Sequence, residues 1–173
     1  MPHPNLISPE RLFECCGWYY VILPNHIPLL DICTGVGAGG PMLPLVKDLI
    51  AGLSFLHQHD TAHLDLNPGN LICTTENQLK IIDFDLALRA KKGERIFGIR
   101  GTEGWMAPEV KKNNGKDGFE PFKVDLYSCG KVLEFMDRAS KHSLGKWLSD
   151  AAAQLMAPDP ETRPSLEMLQ WWL

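Results

Sequence analysis

Three stretches of the chain place apolar residues at the three- and four-residue spacing of a helix with one buried face. The apolar positions are Leu45, Val46, Leu49, Ile50, Leu53 and Leu56, then Leu126, Cys129, Leu133 and Met136, then Leu144, Trp147, Leu148, Ala151, Ala152 and Leu155. The second of these helices is expected to begin near Asp125. Ser165 is a suitable N-cap for a short last helix that runs through Leu169 and Trp172.

Short apolar runs predict a small amount of β-structure. Residues 18–23 are aromatic and β-branched and end at Pro24, which is typical of a strand that leads into a loop. The following segment, up to about residue 33, has the character of a loop. Residues 71–73 and 78–82 are two apolar runs separated by Thr-Thr-Glu-Asn, which predicts a β-hairpin. Residues 83–104 are expected to be irregular.

The composition indicates one globular domain. The chain has 173 residues, of which 45% are hydrophobic and 22% charged. A net charge of -4 provides no basic field for nucleic acid or an anionic membrane, so neither partner is expected. The sequence contains neither a run of about 18 apolar residues nor a signal-peptide pattern, so we expect an intracellular protein. The cytoplasm is the default compartment, and the nucleus stays open.

Two polar motifs follow the first helix. Residues 63–70 read His-Leu-Asp-Leu-Asn-Pro-Gly-Asn and place Asp65 five residues before Asn70. Asp83 follows at the end of the predicted hairpin, in the sequence Asp-Phe-Asp. Phosphoryl transfer needs such parts, because one Asp orients the attacking hydroxyl while an Asn and a second Asp hold Mg²⁺ on the phosphates. The two motifs therefore contain the groups that phosphoryl transfer needs.

These two motifs resemble the catalytic loop H-R-D-L-x-x-x-N and the metal motif D-F-G of eukaryotic-type protein kinases. Further matches are His-Pro-Asn-Leu-Ile at 3–7, the strand and hinge at 18–26, Gly-Thr at 101–102, Ala-Pro-Glu at 107–109, the helix start at 125–130, and Arg163. The resemblance implies an α+β fold, the mainly helical C-terminal lobe of a kinase with a small hairpin. We expect residues 1–26 to be a remnant of the N-terminal lobe and the hinge, and 27–173 to be the C-terminal lobe.

The resemblance also assigns roles and cofactors. Asp65 would be the catalytic base, Asn70 and Asp83 the Mg²⁺ ligands, and Thr102 a support for the catalytic loop. ATP would be the phosphate donor, with its adenine against the hinge and floor residues Ile22, Leu23, Pro24, Asn25 and Ile72. Thr102 and the Leu-Asn-Pro sequence at 66–68 are closer to the Ser/Thr class than to tyrosine kinases. The partner would be a protein substrate or another protein, and the oligomeric state is left open.

Several departures from the family pattern predict weak or absent turnover. The chain begins after the family's Gly-rich loop and strand lysine. Leu64 stands at the usual Arg and Asn67 at a Lys that reaches the transferred phosphate, while Asp85 replaces the Gly of D-F-G. The interval from Asp125 to Arg163 is also short for the family, which leaves little room for a substrate-docking helix.

Two alternatives to a protein kinase stay open. One is a pseudokinase scaffold that binds a partner without turnover. The other is a small-molecule phosphotransferase similar to aminoglycoside kinases, which Ala-Pro-Glu at 107–109 and the helix start at Asp125 oppose.

Other motifs receive structural interpretations. Glycines 35, 37 and 40 fit G-x-G-x-x-G, but the motif follows the hinge and precedes a helix, so we interpret it as a connector. His57 and His59 are expected to end the long helix rather than to bind metal. The five cysteines include no C-x-x-C motif and are expected to be reduced and mostly buried, with adjacent Cys15 and Cys16 poor disulfide partners. Glu109 and Arg163 are predicted to form a buried ion pair.

Overall fold

The computed structural model of the chain describes residues 2–34, 42–140 and 144–172. The glycine motif at 35–40 therefore lies outside the described residues. The helices are α1 (Leu29–Thr34), α2 (Met42–Gln58), α3 (Pro108–Lys111), α4 (Pro121–Ala139), α5 (Lys146–Leu155) and α6 (Leu166–Trp172). The strands are β1 (Arg11–Cys15), β2 (Trp18–Ile22), β3 (Ile27–Pro28), β4 (Thr61–Ala62), β5 (Leu71–Cys73), β6 (Leu79–Ile81) and β7 (Leu88–Arg89).

The strands form three small antiparallel sheets, in the orders β1-β2, β3-β5-β6 and β4-β7. The predicted hairpin is the β5-β6 pair, in which Leu71 lies opposite Ile81 and Cys73 opposite Leu79. Asn77 closes its turn with a φ of 58°, a left-handed conformation that asparagine tolerates better than most residues. The α+β fold class predicted from the sequence is confirmed.

The main hydrophobic core is built by the three helices that the apolar spacing predicts. Helix α2 buries the face that includes Val46, Leu49 and Leu53, and these residues belong to one cluster with Leu133 of α4 and Leu155 of α5. Each large aliphatic side chain that is fully removed from water contributes about 1.5–3 kcal/mol to folding. A second, smaller cluster contains Ala62, Leu64, Ala107, Val110, Phe119 and Val124. The region between residues 62 and 107 is thereby attached to α4.

The N-terminal segment is hydrogen-bonded to strand β6 and packs closely against helix α2. Asn5 accepts a hydrogen bond from the backbone N–H of Ile81 at 2.9 Å, and its side chain donates to the carbonyl of Leu79 at 3.0 Å. A Cβ at Gly52 of α2 would lie 2.9 Å from the carbonyl oxygen of Asn5. The close approach of this segment to α2 therefore requires glycine at position 52.

The β1-β2 hairpin is exposed along its whole length. All ten strand residues are exposed, including large apolar side chains such as Trp18 at 71% and Tyr19 at 75%. A two-stranded hairpin on its own is marginally stable in water. Its stability in this chain therefore rests on cross-strand pairs such as the stacked rings of Phe13 and Tyr20, whose centroids lie 5.2 Å apart.

Some predicted boundaries are wrong. Residues 27–34 are not a loop, because they form β3 and α1, and residues 88–89 within the supposedly irregular segment form β7. Helix α4 begins at Pro121 rather than near Asp125, since proline is well suited to a first helical position, where its missing N–H is not needed. The third predicted helix begins at Lys146, after Gly145 with a φ of 104°. Among the described residues, no helix is long and apolar enough to cross a membrane.

Candidate active site

Residues 63–70 form a loop between β4 and β5 whose geometry is set by Asn67. The Asn67 side chain caps the short 3₁₀ turn Pro68–Asn70, because its Oδ1 accepts from the backbone N–H of Gly69 at 2.9 Å. Its Nδ2 donates to the carbonyl of Asp65 at 3.0 Å. Asparagine and proline are favourable at these positions of a turn. The sequence therefore folds the loop locally and brings Asn70 back toward Asp65.

Three of the predicted site residues meet at the carboxylate of Asp65. Its Oδ1 accepts from the backbone N–H of Thr102 at 2.8 Å and from the Thr102 hydroxyl at 2.7 Å. Its Oδ2 accepts from Nδ2 of Asn70 at 3.0 Å. Asp65 is half-buried, so the carboxylate has a fixed orientation and remains accessible from solvent.

The amide of Asn70 is oriented by the same contacts. Its nitrogen donates to the Asp65 carboxylate and to the Asp65 carbonyl, at 3.0 and 2.9 Å. Because both partners are acceptors, the amide nitrogen must make these bonds. Neither of these contacts uses the amide oxygen of Asn70.

The side chain of Asp83 is exposed, and its backbone has a φ of 62°. Its Oδ1 accepts a long hydrogen bond of 3.4 Å from the backbone N–H of Asp85, which is also exposed. Phe84, between them, packs against the main core and lies edge-on to the ring of His63, with centroids 5.2 Å apart. The half-buried Phe84 thereby attaches the segment to the core, while the side chains of Asp83 and Asp85 are exposed. No group of three or more His, Cys, Asp or Glu side chains that could hold a metal occurs in the described part of the chain.

The ring of His63 connects the loop to the end of β6. Its Nε2 lies 2.9 Å from the carbonyl of Ile82, and its Nδ1 accepts from the backbone N–H of Asp65 at 3.3 Å. A carbonyl can only accept and an N–H can only donate, so the contacts assign a neutral ring with its proton on Nε2. His63 is therefore a structural link between Asp65 and the segment that precedes Asp83.

Asp125 binds the backbone of the loop through hydrogen bonds, a role that was not predicted from the sequence. Its carboxylate is fully buried and accepts from the backbone N–H groups of His63 at 2.8 Å and Leu64 at 2.7 Å. It also contacts Nε2 of His57 at 3.0 Å. The sequence signal for this role was the resemblance of residues 125–130 to the kinase pattern, which was interpreted only as the start of a helix. Helix α4 thus holds the backbone of the loop by a charge-assisted contact.

The predicted adenine-contacting residues are less closely grouped. Ile22 ends β2, and both Ile22 and Leu23 are exposed, at 40% and 43%. Ile72 is buried and lies opposite Pro28 in the β3-β5 pair, shortly beyond Asn25 along the chain. The structure therefore places Ile72 beside β3, which follows the predicted hinge residues 22–25 along the chain.

The predicted ion pair between Glu109 and Arg163 is present. The two terminal nitrogens of the Arg163 guanidinium, Nη1 and Nη2, donate to Oε1 and Oε2 of Glu109 at 2.6 and 2.9 Å. The Arg163 side chain is fully buried and that of Glu109 is 16% exposed. This pair joins the segment after Thr102 to the loop before α6.

The oriented carboxylate of Asp65 does not lie in the cavity described next. A cavity of about 260 Å³ opens between α2, α4 and α6, and its lining includes His57, Phe122 and Arg163 rather than Asp65. The side chains of His57 and Arg163 already have partners in Asp125 and Glu109. We place the candidate active site at Asp65, because an oriented and solvent-accessible carboxylate is a stronger indication than concavity alone.

The sequence matches the protein kinase domain family over residues 40–143, which is more than half of the chain. The chain therefore belongs to the protein kinase family. The matched region contains Asp65, Asn70, Asp83, Thr102 and Asp125.

Curated serine/threonine kinases are among its relatives. Sperm motility kinase 2B of Mus musculus is 29% identical over 197 residues, which cover 95% of this chain and 39% of that protein. Serine/threonine-protein kinase cds1 of Schizosaccharomyces pombe is 33% identical over 146 residues, covering 80% and 32%. CBL-interacting protein kinase 24 of Oryza sativa subsp. japonica is 31% identical over 196 residues, covering 97% and 42%. The chain thus spans less than half of the length of these relatives.

Proposed function

We propose that this chain carries the catalytic-loop half of a serine/threonine protein kinase site, with ATP as phosphate donor and a protein hydroxyl as acceptor. The observation that carries the proposal is the Asp65 carboxylate, which Thr102 and Asn70 hold in one orientation. Phosphoryl transfer is catalysed mostly by positioning and electrostatics, so a preoriented carboxylate is the feature to expect.

Asp65 is proposed to orient the attacking hydroxyl and to accept its proton. Oδ1 already accepts two hydrogen bonds from Thr102, whereas Oδ2 accepts one from Asn70. A carboxylate oxygen can accept two hydrogen bonds. The remaining acceptor position on Oδ2 is therefore the one we assign to the substrate hydroxyl.

The residues fit a Mg²⁺ ion at Asn70 and Asp83. The contacts of the Asn70 amide nitrogen leave its oxygen for coordination, and the carboxylate of Asp83 is exposed. Amide and carboxylate oxygens are hard ligands of the kind that Mg²⁺ prefers. When bound, the ion neutralises charge on the phosphates. The hinge residues 22–25 and Ile72 are proposed to contact the adenine.

The turnover of the 173-residue chain is proposed to be weak, because its catalytic loop supplies no cation. Leu64 is buried, at 2% exposure, and Asn67 is committed to Asp65 and to the cap of the turn. Loss of one preorganised donor typically costs about 3 kcal/mol, or about a hundredfold in rate. We also expect a protein substrate and an intracellular compartment, as in the sequence analysis.

Nucleotide binding and phosphate transfer are to be tested separately. We expect Mg²⁺-dependent ATP binding by the chain, lost in Asp83→Ala and kept in the surface control Asp31→Asn. We expect radiolabelled phosphate incorporation into a generic basic protein no faster than in Asp65→Asn. Absence of Mg²⁺-dependent binding would refute the site, and Asp65-dependent transfer by the wild type would refute weak turnover.

A pseudokinase scaffold is the second candidate, and Leu64 and Asn67 favour it. Both positions have lost the cationic side chain of the family pattern, and both side chains now serve the packing or hydrogen bonding of the loop. A chain that folds but binds no ATP in the presence of Mg²⁺ would support the scaffold.

A further inference from the structure

The surface between β7 and α4 is basic, although the chain as a whole is acidic. Residues 88–120 contain eight Lys and Arg against five Asp and Glu, a net charge of +3, whereas the whole chain has a net charge of -4. The remaining residues therefore have a net charge of -7. Of the five acidic side chains, those of Glu94, Glu109 and Glu120 accept hydrogen bonds within the protein. The cations therefore outweigh the acids that are available to another molecule.

Within this surface, two chain segments run antiparallel and are held together by backbone hydrogen bonds. Ile96 and Phe119 exchange two of these bonds, both of 2.9 Å, and the N–H of Gly98 donates to the carbonyl of Gly115 at 3.1 Å. A Cβ at position 115 would collide with the backbone of Gly98, so this close approach requires glycine. The pairing places the exposed Lys116, which directly follows Gly115, beside the first of the two segments.

Exposed apolar side chains lie between cations on the first segment. Phe97 and Ile99 are 64% and 57% exposed and are flanked along the chain by Arg95 and Arg100. The guanidinium of Arg95 is held by two backbone carbonyls, at 2.6 and 2.9 Å. Arg100 and Lys116 belong to none of the ion pairs among the described residues. We call Arg95, Phe97, Ile99, Arg100 and Lys116 the basic strip.

The basic strip adjoins the candidate active site. Arg100 is two residues before Thr102, which binds the Asp65 carboxylate through its N–H and its hydroxyl. A chain spans at most about 3.6 Å per residue, so the Cα atoms of Arg100 and Thr102 lie within about 7 Å of each other, and those of Arg95 and Thr102 within about 25 Å. An extended peptide of about eight residues with its hydroxyl at Asp65 is therefore long enough to cover the strip.

Two other partners for these cations are disfavoured. A phosphate on the same segment cannot pair with them, because residues 86–101 contain no Ser, Thr or Tyr. A long nucleic acid would extend from the strip over the rest of the chain, whose net charge of -7 repels phosphates. A short anionic segment meets only the strip, because charges more than about 8–10 Å away are largely screened at moderate salt.

We propose that the basic strip binds acceptor peptides that carry Asp or Glu, together with an apolar residue, within about seven residues of the acceptor hydroxyl. The proposal rests on the proposed kinase function and narrows its protein substrate to an acidic one. Peptide carboxylates pair with Arg100 and Lys116, and the apolar side chain packs on Phe97 and Ile99. Charges at the rim of an interface mainly determine specificity and the rate of association. A basic protein, the general acceptor of the transfer assay, is therefore expected to bind less well than an acidic one.

The test is fluorescence anisotropy of a labelled peptide in which one Ser is flanked on both sides by Asp and Leu. Its counterpart has Lys at every Asp position. We expect the acidic peptide to bind the full chain at least about tenfold more tightly than the Lys peptide, with an affinity that falls as salt is raised. The double substitution of Arg100→Glu with Lys116→Glu should weaken binding of the acidic peptide about tenfold or more, because two attractions become repulsions.

The matched control is the double substitution of Lys47→Glu with Lys146→Glu. Both lysines are exposed, on α2 and α5, and either double variant changes the net charge of the chain by the same amount. The control should bind the acidic peptide like the wild type. If the glutamate variant of the strip does not fold by circular dichroism, Arg100→Gln with Lys116→Gln removes the same charges more mildly and should still weaken binding.

Three results would overturn the proposal: equal binding of the acidic and Lys peptides, an equal loss of affinity in the strip and control variants, or tighter binding of a single-stranded DNA of the same charge. Peptide binding is measured without nucleotide, so its failure is distinguishable from that of the kinase function. A chain that keeps Mg²⁺-dependent ATP binding but does not prefer the acidic peptide overturns the strip alone. A chain that prefers the acidic peptide but binds no ATP leaves the strip and overturns the kinase site.

Discussion

Replacing Arg163 by alanine removes a fully buried guanidinium that makes four hydrogen bonds. Two of these go to the carboxylate of Glu109, and the others go to the carbonyls of Ala157 and Lys123 at 3.0 and 2.8 Å. The guanidinium also lies 5.1 Å from the ring centre of Tyr127. The substitution leaves a largely buried carboxylate without its partner.

The expected loss of folding stability is about 3–5 kcal/mol, which is typical of a buried ion pair that loses one member. This is a large part of the roughly 5–15 kcal/mol that stabilises a domain. At about 2–4 °C per kcal/mol, the melting temperature should fall by about 6–20 °C. Thermal and urea unfolding followed by circular dichroism measure both quantities.

The matched control is Arg138→Ala. Arg138 pairs with Glu134 at 2.7 Å on the surface of α4, and its side chain is 75% exposed, so its loss should cost only about 0.3–0.5 kcal/mol. If Arg163→Ala does not fold, Glu109→Gln provides a milder test of the same pair. Unfolding free energies of Arg163→Ala and Arg138→Ala that agree within 1 kcal/mol would refute the reasoning.

Three further predictions concern the loop, the buried thiols and regulation. Asp125→Asn should lower the unfolding free energy by about 1–3 kcal/mol and speed amide exchange at His63 and Leu64, because a carboxylate oxygen becomes a donor; unchanged exchange would contradict this. Burial raises the pKa of the Cys129 thiol to about 12, whereas the pKa of a cysteine in the unfolded chain is about 8.5. Above pH 8.5 the unfolded chain therefore binds fewer protons than the folded chain. The free energy of unfolding then falls by up to about 1.4 kcal/mol per pH unit. Urea unfolding at pH 8 and 10 should show a smaller fall in Cys129→Ala, and equal falls would refute the assignment. Residues 86–101 contain no Ser, Thr or Tyr, so phosphosite mapping should find no activating phosphate docked on this segment.

The long elements could be predicted because each repeats its apolar positions over several turns. Helices α2, α4 and α5 are of this kind, and the β5-β6 hairpin was indicated instead by two short apolar runs on either side of a polar turn. Strands β3, β4 and β7 could not be predicted from the sequence, because each has only two residues. Two residues are too few to show an alternation of apolar and polar side chains. Their pairing is imposed by tertiary contacts, such as that of Thr61 with Arg89.

The candidate site was predictable in its members but not in its support. Asp65, Asn70 and Thr102 were named from the motif pattern, and the structure brings them together. The role of Asp125 depends on the contact of α4 with the loop, and the match at 125–130 indicated only the start of a helix. The capping role of Asn67 was visible in Asn-Pro-Gly, a turn sequence, but was overlooked because Asn67 was considered only as a replacement for lysine.

The exposed β1-β2 hairpin is also expected to determine how the protein responds to proteolysis and whether it associates in solution. Few buried contacts oppose its local opening, so limited proteolysis should cut first near its tip at Cys16 and leave the helical core intact. The free edge of strand β2 (Trp18–Ile22), which is rich in aromatic residues and contains no charged residue, is available for pairing with another molecule. Concentration-dependent association is therefore expected to begin at this hairpin, before any loss of the native core.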